Sequence, residues 1–202
     1  MAVGQTKLEV CNLALDIIRE PPAQSLTDTS APLRWVLRNY DHTVDVALRS
    51  YKWNFAKRRA KLSRDGTDPE FEWAYRYKLP NDCLRILSVA EYGGRLDGRS
   101  RRAVLDVPHE IVGNYIETDY AAPLAIKYIL RITNPGEWDP LFVEIVRCSL
   151  AQGLANKFTS KNKFLELATG MLNRAVAKAE EIDTFEGSPE PTEQDDIIRA
   201  RY

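Results

Sequence analysis

Apolar residues recur every three to four positions at both ends of the chain and every second position through much of its middle. The first helix is expected over 5–19. Leu8, Cys11, Leu15 and Ile18 share one face there, with Ala14 and Ile17 beside them. Glu20-Pro21-Pro22 should stop it, because the residue before proline leaves the α region and proline lacks a donor. A polar loop over 23–29 follows. The second helix is expected from Ser30, a capping residue, with Pro32 in its first turn. Its stripe is Leu33, Val36, Leu37, Tyr40, Val44, Ala47, Leu48 and Tyr51. Two helices joined by a short loop predict an antiparallel hairpin.

The middle changes period. Segments 71–79, 85–92, 103–107, 111–118 and 125–132 are rich in β-branched and aromatic residues, and read as strands. Asp65-Gly66, Pro80-Asn81-Asp82, Gly93-Gly94 and Asp97-Gly98 are turn signals among them. Tyr75, Tyr77 and Leu79 alternate with Arg76 and Lys78, as in a half-buried strand. Helical period returns after Asn134-Pro135-Gly136, with Asp139 as N-cap and Pro140 as first helical residue. Asn162 separates that helix from a fourth, which carries Phe164, Ala168, Met171, Leu172, Ala175, Ala179 and Ile182. Beyond Asp183 the pattern ends. The expected architecture is α+β: a four-helix bundle from 1–51 and 138–183, an inserted small antiparallel β-sheet domain over 52–137, and an extended C-terminal arm over 184–202.

With 202 residues, 44% hydrophobic and 28% charged, the chain has enough apolar material for a packed core. No run approaches the roughly 20 apolar residues of a membrane span. The first ten residues carry Gln5, Lys7 and Glu9 without an apolar run, so no signal peptide is expected. Cys11, Cys83 and Cys148 are far apart and odd in number, which favours core thiols over disulfides or zinc. His42 and His109 have no ligand-spaced partner. Neither metal nor cofactor is expected.

The net charge of −1 hides an uneven layout. Positions 49–102 hold fourteen Lys and Arg against seven acids, whereas 180–202 hold eight acids against two arginines. Such asymmetry suggests surfaces that meet different partners. Motifs for phosphate loops, dinucleotides, zinc hydrolases and nucleophile elbows are missing, and no enzyme is expected. A carboxylate-dependent hydrolase, drawing on Glu70, Asp82, Glu117 or Asp119, stays as an alternative. So does nucleic-acid binding by segment 51–62, YKWNFAKRRAKL, together with Arg99–Arg102. There Trp53 or Phe55 would stack on bases, with Lys57, Arg58, Arg59 and Lys61 on phosphates. The competing reading makes Trp53 and Phe55 anchors of the long helix's exit. A sequence pI of 6.2 is far from that of a dedicated DNA binder.

Three phrases carry a family resemblance. They are Trp53-Asn54-Phe55-Ala56 followed by Arg59-Ala60 and Leu62; the run WAYRYKLPNDCLR, from Trp73 through Tyr75, Tyr77, Pro80 and Asp82 to Arg85; and 128–135 followed by Trp138-Asp139-Pro140-Leu141-Phe142. In this order and spacing they resemble the tail tubular protein A family of short-tailed bacteriophages, over 5–183. The resemblance implies a non-enzymatic head-to-tail adaptor, or gatekeeper: an α-helical bundle carrying a β domain. It implies a homo-oligomeric, twelve-fold ring in the virion, between portal protein and tail or nozzle protein, assembled in the host cytoplasm. Genomic DNA would pass through the ring without sequence-specific binding, and no membrane is involved. The phrase residues are expected to be structural, with Asp82 bonding nearby backbone amides in its turn. In the arm, Ile197, Ile198, Arg199, Arg201 and Tyr202 are expected to bind the portal or an adjacent subunit.

Overall fold

The computed structural model describes residues 5–91, 107–159 and 162–186. Among them are four helices and six strands, so the chain is α+β, with helices at both ends and antiparallel sheets between. It divides into two compact units: Met1–Tyr40 with Trp138–Tyr202, and Asp41–Glu137. The first division falls inside the second helix, where the sequence suggests 51/52.

In the helical unit, α1 (Lys7–Ile17) starts at Thr6, whose side chain accepts from the Glu9 N–H while Glu9 reaches back to the Thr6 N–H. It ends before the Pro21-Pro22 signal. The Glu20 N–H donates to the Leu15 carbonyl and the Arg19 N–H to that of Asp16, with Arg19 left-handed at φ 63°. The pair of bonds is a Schellman closure, with arginine where glycine is usual. The Asn12 amide then clamps the following loop by exchanging bonds of 3.0 and 2.9 Å with the Ala23 backbone.

The helix α2 (Ala31–Ser50) buries Leu33, Val36 and Tyr40 in this unit. α1 meets α2 through Lys7, whose ammonium lies 4.3 Å from the Tyr40 ring centroid, an end-to-middle contact in keeping with the expected antiparallel hairpin, while the closer backbone approach of α1 is to α3 (Pro140–Phe158). Both helices bury small side chains, Cys11 and Ala14 in α1, Cys148, Ala151 and Ala155 in α3, which lets backbones come near. α2 meets α3 through the Trp35 indole, which lies over Gly153. α3 is buried nearly all round, and α4 (Asn162–Glu186) packs on it through Ala168, Ala175 and Ala179. α4 runs three residues past the expected end at Asp183.

Two glycines give opposite expectations. A Cβ at Gly153 would overlap the Trp35 ring, whereas one at Gly170 in α4 meets nothing. Gly170→Ala should therefore stabilise by about 1 kcal/mol, the helix-propensity difference. Gly153→Ala has that same gain set against about 1–3 kcal/mol of overpacking. Its net effect should be destabilising, as urea titrations of both variants will show.

The second unit holds two three-stranded antiparallel sheets rather than one. The first has order β1-β6-β3, with β1 (Lys57–Leu62), β3 (Cys83–Glu91) and β6 (Leu124–Leu130). The second has order β2-β5-β4, with β2 (Tyr75–Lys78), β4 (Glu110–Val112) and β5 (Tyr115–Thr118). The stretch expected as one strand over 111–118 folds back on itself, because Gly113 at φ 59° closes a two-residue turn that pairs Val112 with Tyr115. The strand expected over 71–79 is shortened: the Trp73 N–H bonds the Phe71 carbonyl around Glu72, at φ 70°. Leu62, Tyr77, Val89, Val107, Ile116, Leu124, Ile126 and Tyr128, drawn mainly from the two sheets, form one core. Of the strand expected over 103–107, only Val107 is described; its N–H bonds the Val89 carbonyl at 3.0 Å. The remainder of that strand, both glycine turns of 93–98, Arg99–Arg102 and residues 187–202 lie outside the described residues.

Candidate functional site

The chemistry-bearing residues singled out in the sequence fall into two groups: the aromatic phrases and the basic segment that follows the first of them. α2 ends at Ser50, so its last carbonyls lack intrahelical partners. Trp53 supplies one. Its Nε1–H donates to the Ala47 carbonyl at 2.8 Å, and the indole is only 5% exposed. Tyr51 packs edge-on against it with ring centroids 5.2 Å apart, and the tilted Phe55 ring lies at 6.0 Å. Arg85 supplies a second partner, donating to the Arg49 carbonyl at 3.1 Å while Arg49 donates to the Leu84 carbonyl at 3.0 Å. Residues from two different phrases thus close the same helix end, where cations also complement the helix dipole.

The second phrase runs along β2 into a turn and then β3. Tyr77 is fully buried, and its hydroxyl donates to the Tyr120 carbonyl at 2.7 Å. Burial, with the neighbouring Tyr75 adding to it, raises the Tyr77 pKa. Tyr75 carries the Arg64 guanidinium 4.8 Å from its ring centroid. The Trp73 Nε1–H reaches Glu110 at 3.3 Å, and the Arg76 Nε–H donates to the buried Glu117 at 2.8 Å. Pro80 opens a turn closed by the Cys83 N–H on its carbonyl. Asp82 lies in that turn as expected, but the bond it makes runs through its main-chain carbonyl, which accepts from the Arg131 N–H at 2.8 Å, and not from its carboxylate to the amides of the turn. The Tyr128 pKa is raised first by burial and then by the Asp82 charge.

The third phrase opens α3 in the helical unit. The Asp139 carboxylate accepts from the Leu141 N–H at 2.8 Å, and Pro140 occupies the first helical turn. Trp138 stacks on Tyr40 with centroids 6.3 Å apart, and Phe142 meets Trp138 edge-on at 5.0 Å. The structure therefore does not gather the phrases at one point: the first two lie in the sheet-bearing unit, and this one in the helical unit. Ile197, Ile198, Arg199, Arg201 and Tyr202 lie outside the described residues.

The carboxylates of the hydrolase alternative are spread by role. Glu117 is held by Arg76, Asp119 accepts from the Ala74 N–H at 3.0 Å, and Asp82 lies in the turn before β3 with its charge near Tyr128. Among the described residues, no group of three His, Cys, Asp or Glu is placed to hold a metal ion. No described helix is long and apolar enough to cross a membrane.

Burial pushes the Cys11 and Cys148 thiols up to about 11, and it raises Cys83 as well. A thiol reagent at mildly alkaline pH should leave all three nearly unreactive until denaturant is added, since the thiolate is the nucleophile. The sign of the pH effect follows. Unfolded thiols ionise near the ordinary value of 9.0, and the folded ones near 11. The unfolded chain therefore releases protons that the folded chain retains. Their contribution is intact below pH 9 and is lost as pH rises through 11. Thermal melts across that window should show the decline.

Sequence reading missed β1. Its pattern is charge-rich rather than apolar: Lys57, Arg59 and Lys61 on one face, Arg58, Ala60 and Leu62 on the other. In register, Ala60, Ile126 and Val89 make an inward row, and Arg59, Lys127 and Ser88 an outward one. Arg58 donates to the Phe55 and Lys57 carbonyls, and Lys57 to the Asn54 side chain at 2.6 Å. Compared with known families and with curated proteins, the chain matches no family model and no curated protein.

Proposed function

We propose that the chain is a head-to-tail adaptor: a virion structural protein, without catalytic activity, that forms a homo-oligomeric ring between the portal and the tail or nozzle around the DNA channel. The reading rests on the resemblance of the three ordered phrases to tail tubular protein A. One observation supports it above others: residues of those phrases are the framework of both units. Trp53 and Arg85 close α2, Tyr77 centres the sheet core, and Asp139 starts α3. A resemblance carried by framework residues is one of fold and assembly rather than of a reaction.

A ring subunit also needs two different surfaces that meet head to tail and close by rotation. A chain with distinct helical and sheet-bearing units offers chemically different surfaces for this. The reading that Trp53 stacks on nucleic-acid bases loses its reagent, because that indole is buried. The ring's subunit number, twelve in the family, and its virion location belong to the same proposal.

The test is genetic and biochemical. Particles made without this chain should accumulate as DNA-filled heads lacking tails, and purified chain added to those heads should restore tail attachment. Normal tails on particles lacking the chain would refute the proposal.

A further inference from the structure

The outward face of the β1-β6-β3 sheet carries a groove of about 290 Å³. Two in-register rows line it: Arg59, Lys127 and Ser88, then Lys61, Ala125 and Ala90. The long side chains make a basic rim, and the two alanines make an apolar floor. Three strands about 4.8 Å apart span roughly 10 Å. β1 is an edge strand of its sheet, and four basic residues in its six disfavour pairing with an identical strand. They favour a segment that is acidic and apolar together.

The C-terminal positions of the chain hold such a segment. Positions 187–202 carry Glu190, Glu193, Asp195 and Asp196, followed directly by Ile197 and Ile198. In extended form the four residues Asp195 to Ile198 span roughly 10 Å from first to last Cα, the width of the three strands, and alternation turns one acid and one isoleucine to the same side. Sixteen residues reach at most about 55 Å, enough to leave their own subunit. We propose that this groove receives the 195–198 segment of a second copy, with one aspartate carboxylate among Arg59, Lys61 and Lys127 and the isoleucine of the same side on Ala90 and Ala125. DNA would use the cations but has no use for the alanine floor, and among the described residues no aromatic ring lines the groove for bases to stack on. The identity of the second copy as the next subunit of a ring rests on the adaptor reading; the contact itself does not.

A labelled peptide of residues 187–202 tests the contact on the full-length chain carrying D195K and D196K, whose own tail is unsuited to the groove. The peptide should bind saturably and weaken with added salt. R59E with K127E should lower its affinity at least tenfold, and a peptide with both aspartates changed to lysine should regain it on that variant. Should circular dichroism show the double change to be unfolded, R59E alone, at an exposed position, gives the same comparison. Binding indifferent to these reversals, no binding, or tight binding of a DNA oligonucleotide in place of the peptide would each overturn the proposal. Much weaker peptide binding by the unaltered chain than by the tail-reversed one, persisting undiminished as the chain is diluted, would show the groove filled by its own tail, which overturns the second-copy assignment. Tail attachment to heads is measured separately, so failure here leaves the adaptor reading standing, and failure there leaves the groove.

Discussion

Trp53→Ala is expected to cost about 3–5 kcal/mol and to lower the melting temperature by roughly 6–20 °C. Two losses add up. The indole is nearly fully buried between Tyr51 and Phe55, so its removal leaves a cavity that rigid neighbours do not fill. The Ala47 carbonyl also loses the Nε1–H donor at the end of α2, although the Ser50 hydroxyl still reaches it at 2.9 Å. Trp53→Phe separates the two terms, since it retains much of the volume and removes only the donor. It should cost clearly less than the alanine variant. Calorimetry of both variants checks the order. An alanine variant that kept its melting temperature and lost only DNA binding would revive the base-stacking alternative.

Phe142→Ala should be of similar size, about 3–5 kcal/mol, and for a related reason. The ring is fully buried in α3, edge-on to Trp138, which in turn stacks on Tyr40 of α2. Removing the middle of helix α3's first turns leaves Trp138 without its edge partner, a contact worth about 0.5–1.5 kcal/mol beyond area burial. Phe142→Leu, which keeps most of the volume, should lose under half as much. Chemical denaturation followed by tryptophan fluorescence reports it, because Trp138 sits against the altered site.

The helices were legible because their signals are local. The α2 stripe of Leu33, Val36, Tyr40, Val44 and Leu48 is buried as its period requires, and Asp139-Pro140 starts α3 where the capping chemistry puts it. What sequence reading lost was non-local. β1 carries its pattern in charges, because an edge strand turns one face to solvent and is not asked to be apolar there. The β4–β5 turn hid inside an apolar run, since Gly113-Asn114 between Val112 and Tyr115 interrupts hydrophobicity for only two residues. The close backbone approach of α1 to α3 depends on small side chains meeting in space, which adjacency in sequence does not report. Asp82 is a turn residue as expected, but the partner of its carbonyl, Arg131, stands more than forty positions away. For the groove, the basic residues of 57–61 were visible in sequence, but Ser88, Ala90, Ala125 and Lys127 join them only through strand pairing.

The adaptor assignment is tested most directly by cryo-electron microscopy of the particle whose genome encodes this chain, with the chain identified by density fitting of its helical and sheet-bearing units. The expected result is a closed ring of this chain between the portal and the tail, coaxial with the DNA channel. Particles whose head–tail junction is built entirely from other proteins would contradict the account.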